Sequence, residues 1–120
     1  MNNNTVKNLP VNMGRMNDPD GAASITGLCG DTMEMYLIIN NNKISESWFF
    51  TNGCASSIAA GSATAELAKG KEINEALSIS PADIINQLKN NPVFEIHCAI
   101  LAVMTLDKAI ADYILRMERM

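Results

Sequence analysis

The chain has 120 residues, 48% of them hydrophobic and 18% charged, and carries a net charge of −4. That length suits one domain that can hide about two-thirds of its unfolded surface, so a core without staples is within reach. The acidic balance, with Lys and Arg scattered singly, argues against nucleic acid as a partner. Three cysteines are an odd number and close no disulfide framework.

The opening stretch, residues 1–21, is rich in Asn and broken by Pro10, Gly14 and Pro19. It lacks the apolar run of a secretory signal, and Asn17-Asp18-Pro19-Asp20-Gly21 is a dense turn signal. A mobile or loosely docked arm is expected there, with a single domain over residues 22–120. The cytoplasm is the expected compartment. The longest apolar run, Cys98 to Met104, is far short of the ~20 residues that span a bilayer.

Three strands are expected next. Ala22 to Leu28 is short and weak, whereas Thr32 to Asn40 alternates cleanly with Met33, Met35, Leu37 and Ile39 on one face. Asn41-Asn42 tolerates positive φ and makes a two-residue hairpin turn into Ile44 to Thr51. The phase of this third strand is open. Strict alternation groups Ile44, Trp48 and Phe50 against Ser45, Ser47, Phe49 and Thr51. Either Trp48 and Phe50 form an exposed apolar patch for a partner, or a helix or the arm covers them.

Helices follow. Ala55 to Lys69 is rich in Ala and ends at Gly70, and its small residues would let it lie close on a sheet. Ser80-Pro81-Ala82-Asp83 is an N-terminal signature for a helix that stops at Asn90-Asn91-Pro92. Ile96, Ile100, Val103, Leu106, Ile110, Ile114 and Met117 then mark one face of a long last helix. Strands first and helices after them predict an α+β fold. Its three-stranded antiparallel meander would carry helices packed on one face.

The chemistry sits at the junctions of these elements. Cys29 lies between the first two strands, Cys54 precedes a helix, and His97-Cys98 open the last helix. Singly, each thiol reads as a small core residue and His97 as a structural histidine. Jointly, every Cys and the only His fall at loop–element junctions, where helix N-termini favour thiolates. Such a Cys/His/Asp set suits a tetrahedral metal or an iron–sulfur site. A Cys–His nucleophile is less well supported, because adjacent residues on a helix do not face each other.

These residues also resemble a family. Cys29-Gly30-Asp31-Thr32-Met33, Gly53-Cys54-Ala55-Ser56-Ser57-Ile58-Ala59 and His97-Cys98-Ala99-Ile100-Leu101-Ala102 are similar to the three signatures of the U-type iron–sulfur cluster scaffolds. That family comprises IscU and the N-terminal domain of NifU. Asn12-Met13-Gly14-Arg15-Met16 resembles the arm that precedes the first signature, so the likeness covers nearly the whole chain. It implies a scaffold, not a turnover enzyme. A 2Fe–2S cluster is built from iron and sulfur supplied by a cysteine desulfurase, then passed to recipient apo-proteins. Carried over, Cys29, Cys54 and Cys98 are the thiolate positions and Asp31 or His97 the remaining ligand. Cys98 is the candidate persulfide acceptor, and zinc would fill the cluster-free form. Family members tend to monomers or weak dimers. An alternative with the same donors is a zinc-binding accessory protein that docks on a desulfurase and relays persulfide.

The chain departs from its better-known relatives before the histidine. Where they carry L-P-P-V-K, read by a DnaK-like chaperone, it has Asn90-Asn91-Pro92-Val93-Phe94-Glu95. The double proline is gone and Glu95 replaces the lysine, which argues against a chaperone route through this segment.

Overall fold

A computed structural model of the chain describes residues 9–119. The first eight residues of the expected arm lie outside it. Three strands, β1 (Gly21–Thr26), β2 (Thr32–Asn40) and β3 (Lys43–Thr51), form an antiparallel sheet in the order β1-β2-β3. Four helices follow: α1 (Ala55–Ala68), α2 (Ile73–Ala76), α3 (Pro81–Leu88) and α4 (Ile96–Glu118). The α+β meander is thus as expected, with the one-turn α2 added. A capping box between Glu72 and Glu75 opens α2, and its few residues carry no periodicity to detect.

Alternation in β2 decides which face is the core. Met33, Met35, Leu37 and Ile39 are buried while Glu34, Tyr36 and Ile38 are not. Asn41 and Asn42 both adopt positive φ in the hairpin turn, which brings Asn40 opposite Lys43. The first strand ends earlier than its sequence suggests. Gly27 and Leu28 belong to the turn that carries Cys29, closed by the Gly27 amide donating to the Asp31 carbonyl at 2.8 Å.

The open phase of β3 is settled by a bulge. Ile38 faces Glu46 but Ile39 faces Ile44, so Ser45 is an extra residue, and its hydroxyl donates to the Ile38 carbonyl. The bulge changes the phase once. Ile44 therefore points inward together with Ser47, Phe49 and Thr51, and does not share a face with Trp48 and Phe50.

Trp48 and Phe50, half-buried on the opposite face, are covered in part by the arm. From Leu9 onward the described part of the arm is docked. Met13 pairs in parallel with Phe49; the Gly14 amide donates to the Phe49 carbonyl and the Phe49 amide to the Asn12 carbonyl. Arg15 grips Glu34 with two hydrogen bonds and lies 4.1 Å above the Phe50 ring. The Tyr36 hydroxyl donates to the same carboxylate.

Helix α1 lies on the core face against β3, and α4 runs beneath β1 and β2. The fit of α1 depends on its small residues. A side chain at Gly61 would collide with the Phe49 ring and come within 3.0 Å of Met33 Sδ.

Two outcomes test this packing. Phe49→Ala should destabilise the protein by about 3–5 kcal/mol in urea unfolding, and Phe50→Ala by clearly less. The Arg15 guanidinium holds the Glu34 carboxyl below its ordinary 4.5, outweighing the opposing effect of burial. A depressed carboxyl stabilises the docked arm above 4.5 and ceases to do so as pH falls through the lowered value. Fluorescence of the single Trp48, against which Gly14 packs, should therefore shift below pH 4.5, and Glu34→Gln should produce that shift at neutral pH.

Candidate metal centre

The junctions carrying Cys29, Cys54 and Cys98 meet at one end of the domain because three turns are tied to one another. The Thr51 hydroxyl donates to the Thr32 carbonyl and accepts from the Gly53 amide, while the Thr32 amide donates to Asn52 Oδ1. These bonds hold the β3–α1 turn against the start of β2, where Asp31 lies. Ser56 adds the third element. Its buried hydroxyl accepts from the Glu95 amide at 2.7 Å and fixes the start of α4 beside that of α1.

Cys54 is the N-cap of α1, with its thiol exposed. The backbone N–H groups of Ser57, foremost, and Ser56 stabilise its thiolate and lower its pKa from the ordinary value, against a smaller opposing effect of burial. Asp31 reaches into the same turn, 4.0 Å from Cys54 Sγ. This approach requires Gly53, because a Cβ there would lie 2.5 Å from Asp31 Oδ2. Cys98, in the first turn of α4, is wholly buried.

Between these three stands Ser57, which is also wholly buried. Its hydroxyl donates to Asp31 Oδ2 at 2.6 Å and lies 3.6 Å from Cys98 Sγ and 3.9 Å from Cys54 Sγ. One oxygen thus touches a carboxylate and two thiols. The sequence marks Asp31, Cys54 and Cys98 as candidate donors; Ser57, at a signature position that takes Ser or Ala, carries no such mark. A serine one turn after an N-cap cysteine, on the inner side of an Ala-rich helix, was the available signal.

Cys29 and His97 are placed differently. Both line a neighbouring, largely apolar cleft of about 620 Å³, with Leu28, Ile100 and Met104 among its walls. Cys29 is exposed in the turn between β1 and β2, and His97 Nε2 is 3.5 Å from Glu95 Oε1. Among the described residues, no three Cys, His, Asp or Glu side chains already stand in a metal-holding group. Three of the five candidates are gathered around Ser57, while Cys29 and His97 line the neighbouring cleft.

Alkylation should read this geometry directly. Cys54 should react with iodoacetamide with a midpoint below that of an ordinary thiol, whereas Cys98 should label only on unfolding, as followed by peptide mass spectrometry.

The model of the NifU-like N terminal domain family matches residues 5–120. The chain is 40% identical over 105 residues to the iron–sulfur cluster assembly scaffold protein IscU 1 of Archaeoglobus fulgidus, covering 87% of this chain and 69% of that protein. It is likewise 40% identical over 109 residues to the iron–sulfur cluster assembly scaffold protein IscU of Escherichia coli K12, covering 87% and 84%. In fold it resembles the crystal structure of a NifU-like protein (N-terminal) from Brucella abortus. The TM-score is 0.68 at 18% identity, over 88% of this chain and 87% of that one. The family match over nearly the whole chain and these two scaffold relatives agree with the three cysteine signatures: the chain belongs to the NifU-like N-terminal domain family of U-type scaffolds.

Proposed function

We propose that the chain is a scaffold on which a labile 2Fe–2S cluster is assembled and from which it is handed to apo-proteins. Cys29, Cys54 and Cys98 serve as thiolates and Asp31 as the oxygen ligand. His97, placed in the neighbouring cleft, is the second candidate for that fourth position. The observation that carries this reading is the convergence of Asp31, Cys54 and Cys98 on one buried hydroxyl.

The chemistry follows from the donors. Three soft thiolates suit iron and sulfide, and a hard carboxylate in the fourth position binds that centre less firmly than a fourth thiolate. The cluster is cargo and must leave, so a weaker ligand on one side is an advantage. Cys54, whose thiolate is favoured by the backbone N–H groups of Ser57 and Ser56, offers a more readily formed thiolate than an ordinary cysteine for the first iron. Cys29 sits on an exposed turn and can close over the site from outside. Sulfur comes from a cysteine desulfurase as a persulfide. Cys98 is the assigned acceptor, and its burial means that the site must open for delivery. In the cluster-free form the same donors hold zinc. Assembly takes place in the cytoplasm; among the described residues no helix is long and apolar enough to cross a membrane.

Anaerobic reconstitution with iron, cysteine, a desulfurase and a thiol reductant tests this function. The reductant supplies the two electrons that take each persulfide sulfur to sulfide. Charge-transfer absorbance should develop with about two irons and two sulfides per chain, and Cys54→Ser should abolish or strongly diminish it. Equal behaviour of the two proteins would overturn the assignment. Tight stoichiometric zinc without cluster uptake would favour a zinc-bound accessory to the desulfurase instead.

A further inference from the structure

Ser57 has one hydroxyl proton and two lone pairs. The proton is committed to Asp31 Oδ2 at 2.6 Å, so the lone pairs face Cys98 Sγ and Cys54 Sγ, at 3.6 and 3.9 Å. The donor is wholly buried and the acceptor partly so, and a hydrogen bond to a carboxylate is stronger than a neutral one. Space for this pair has been cleared in the backbone: a Cβ at Gly53 would lie 2.5 Å from Asp31 Oδ2 and 2.7 Å from Ser57 Oγ. His97 has no such anchor. It is half exposed, its ring nitrogen is 3.5 Å from an exposed glutamate, and it lines the other cleft with Cys29.

Carboxylate and imidazole therefore compete unequally for the fourth place. Asp31 is already held beside two thiols by a group that is not itself a ligand, while His97 would have to turn in without help. We infer that Ser57 is a positioning residue that fixes Asp31, rather than His97, as the non-thiolate donor beside Cys54 and Cys98. The inference rests on the metal-centre reading given above. It assigns to Ser57 a role exerted through Asp31, which separates it from a mere packing role in α1.

A double-mutant cycle on the full chain distinguishes these roles, using Zn²⁺ alone as the probe in competition with a chromophoric chelator under anaerobic, reducing conditions. Ser57→Ala should weaken Zn²⁺ binding by about 10-fold, the usual scale for losing a hydrogen bond that orients a metal ligand. In the Asp31→Ala background the same substitution should change the affinity little. Co²⁺ absorption supplies a second readout. The wild-type spectrum should respond to Asp31→Ala and not to His97→Ala, and Ser57→Ala should make it respond to His97→Ala. Circular dichroism checks that each variant is folded. An equal loss in both backgrounds, no loss in either, or a wild-type spectrum governed by His97 would overturn the role of Ser57. Zn²⁺ affinity indifferent to Cys54→Ser would overturn the metal-centre reading itself, whatever Ser57 does.

Discussion

Helix α1 can lie on the sheet only because its inner surface is nearly bare. Ala60, Gly61, Thr64, Ala65 and Ala68 face the core there, and any side chain at Gly61 would strike Phe49. Dispersion and apolar burial reward this close approach, since packing falls off steeply with a gap of even half an ångström. The consequence reaches the helix end. An α1 seated this deeply brings Cys54 to Asp31, Ser56 to the start of α4 and Ser57 between Asp31 and Cys98. The same small residues that make the core compact thus set the spacing of the donors.

A second constraint is the separation of stable from adjustable parts. Asp31, Cys54 and Cys98 are tied into the domain through hydroxyls and backbone amides. Cys29 is on an exposed turn flanked by glycines, and Gly30 takes a positive φ that a side chain would resist. A carrier of a labile cluster needs this division. On the proposed reading, the fixed donors would define where the cargo sits and the exposed one would admit and release it. On the far side of the sheet the arm performs a different task. It pairs with the edge strand β3 and, through Arg15, covers part of an aromatic surface that would otherwise invite association.

Much of this was legible in the residues, for identifiable reasons. The alternation in β2 survives because the strand buries one face against one layer. On α4 only Val103, Leu106 and Ile110 of the expected stripe are buried. The helix turns Cys98, Leu101, Ala102 and Ala109 inward with them, mostly small residues that allow a close fit, and leaves Ile96, Ile100, Ile114 and Met117 exposed. Ser80 to Asp83 is a capping box, a local device that needs no tertiary information. The inner face of β3 was not legible, since a one-residue bulge at Ser45 reverses the phase and leaves no mark in composition. The three signatures identified Cys29, Asp31, Cys54, His97 and Cys98 as candidates, but not that they divide into a fixed trio and a pair lining another cleft. Spacing along the chain carries no information on which junctions meet. Ser57 stayed hidden for a related reason: its importance lies wholly in long-range contacts, 26 residues back to Asp31 and 41 forward to Cys98.

On the proposed function, the centre built on these donors is cargo. That role is tested most directly by mixing the anaerobically reconstituted protein with the apo-form of a 2Fe–2S ferredoxin and following circular dichroism in the visible range. The ferredoxin spectrum should grow as the scaffold spectrum decays, with the chain recovered free of iron. A cluster that stays on this chain while the ferredoxin remains empty would contradict that role.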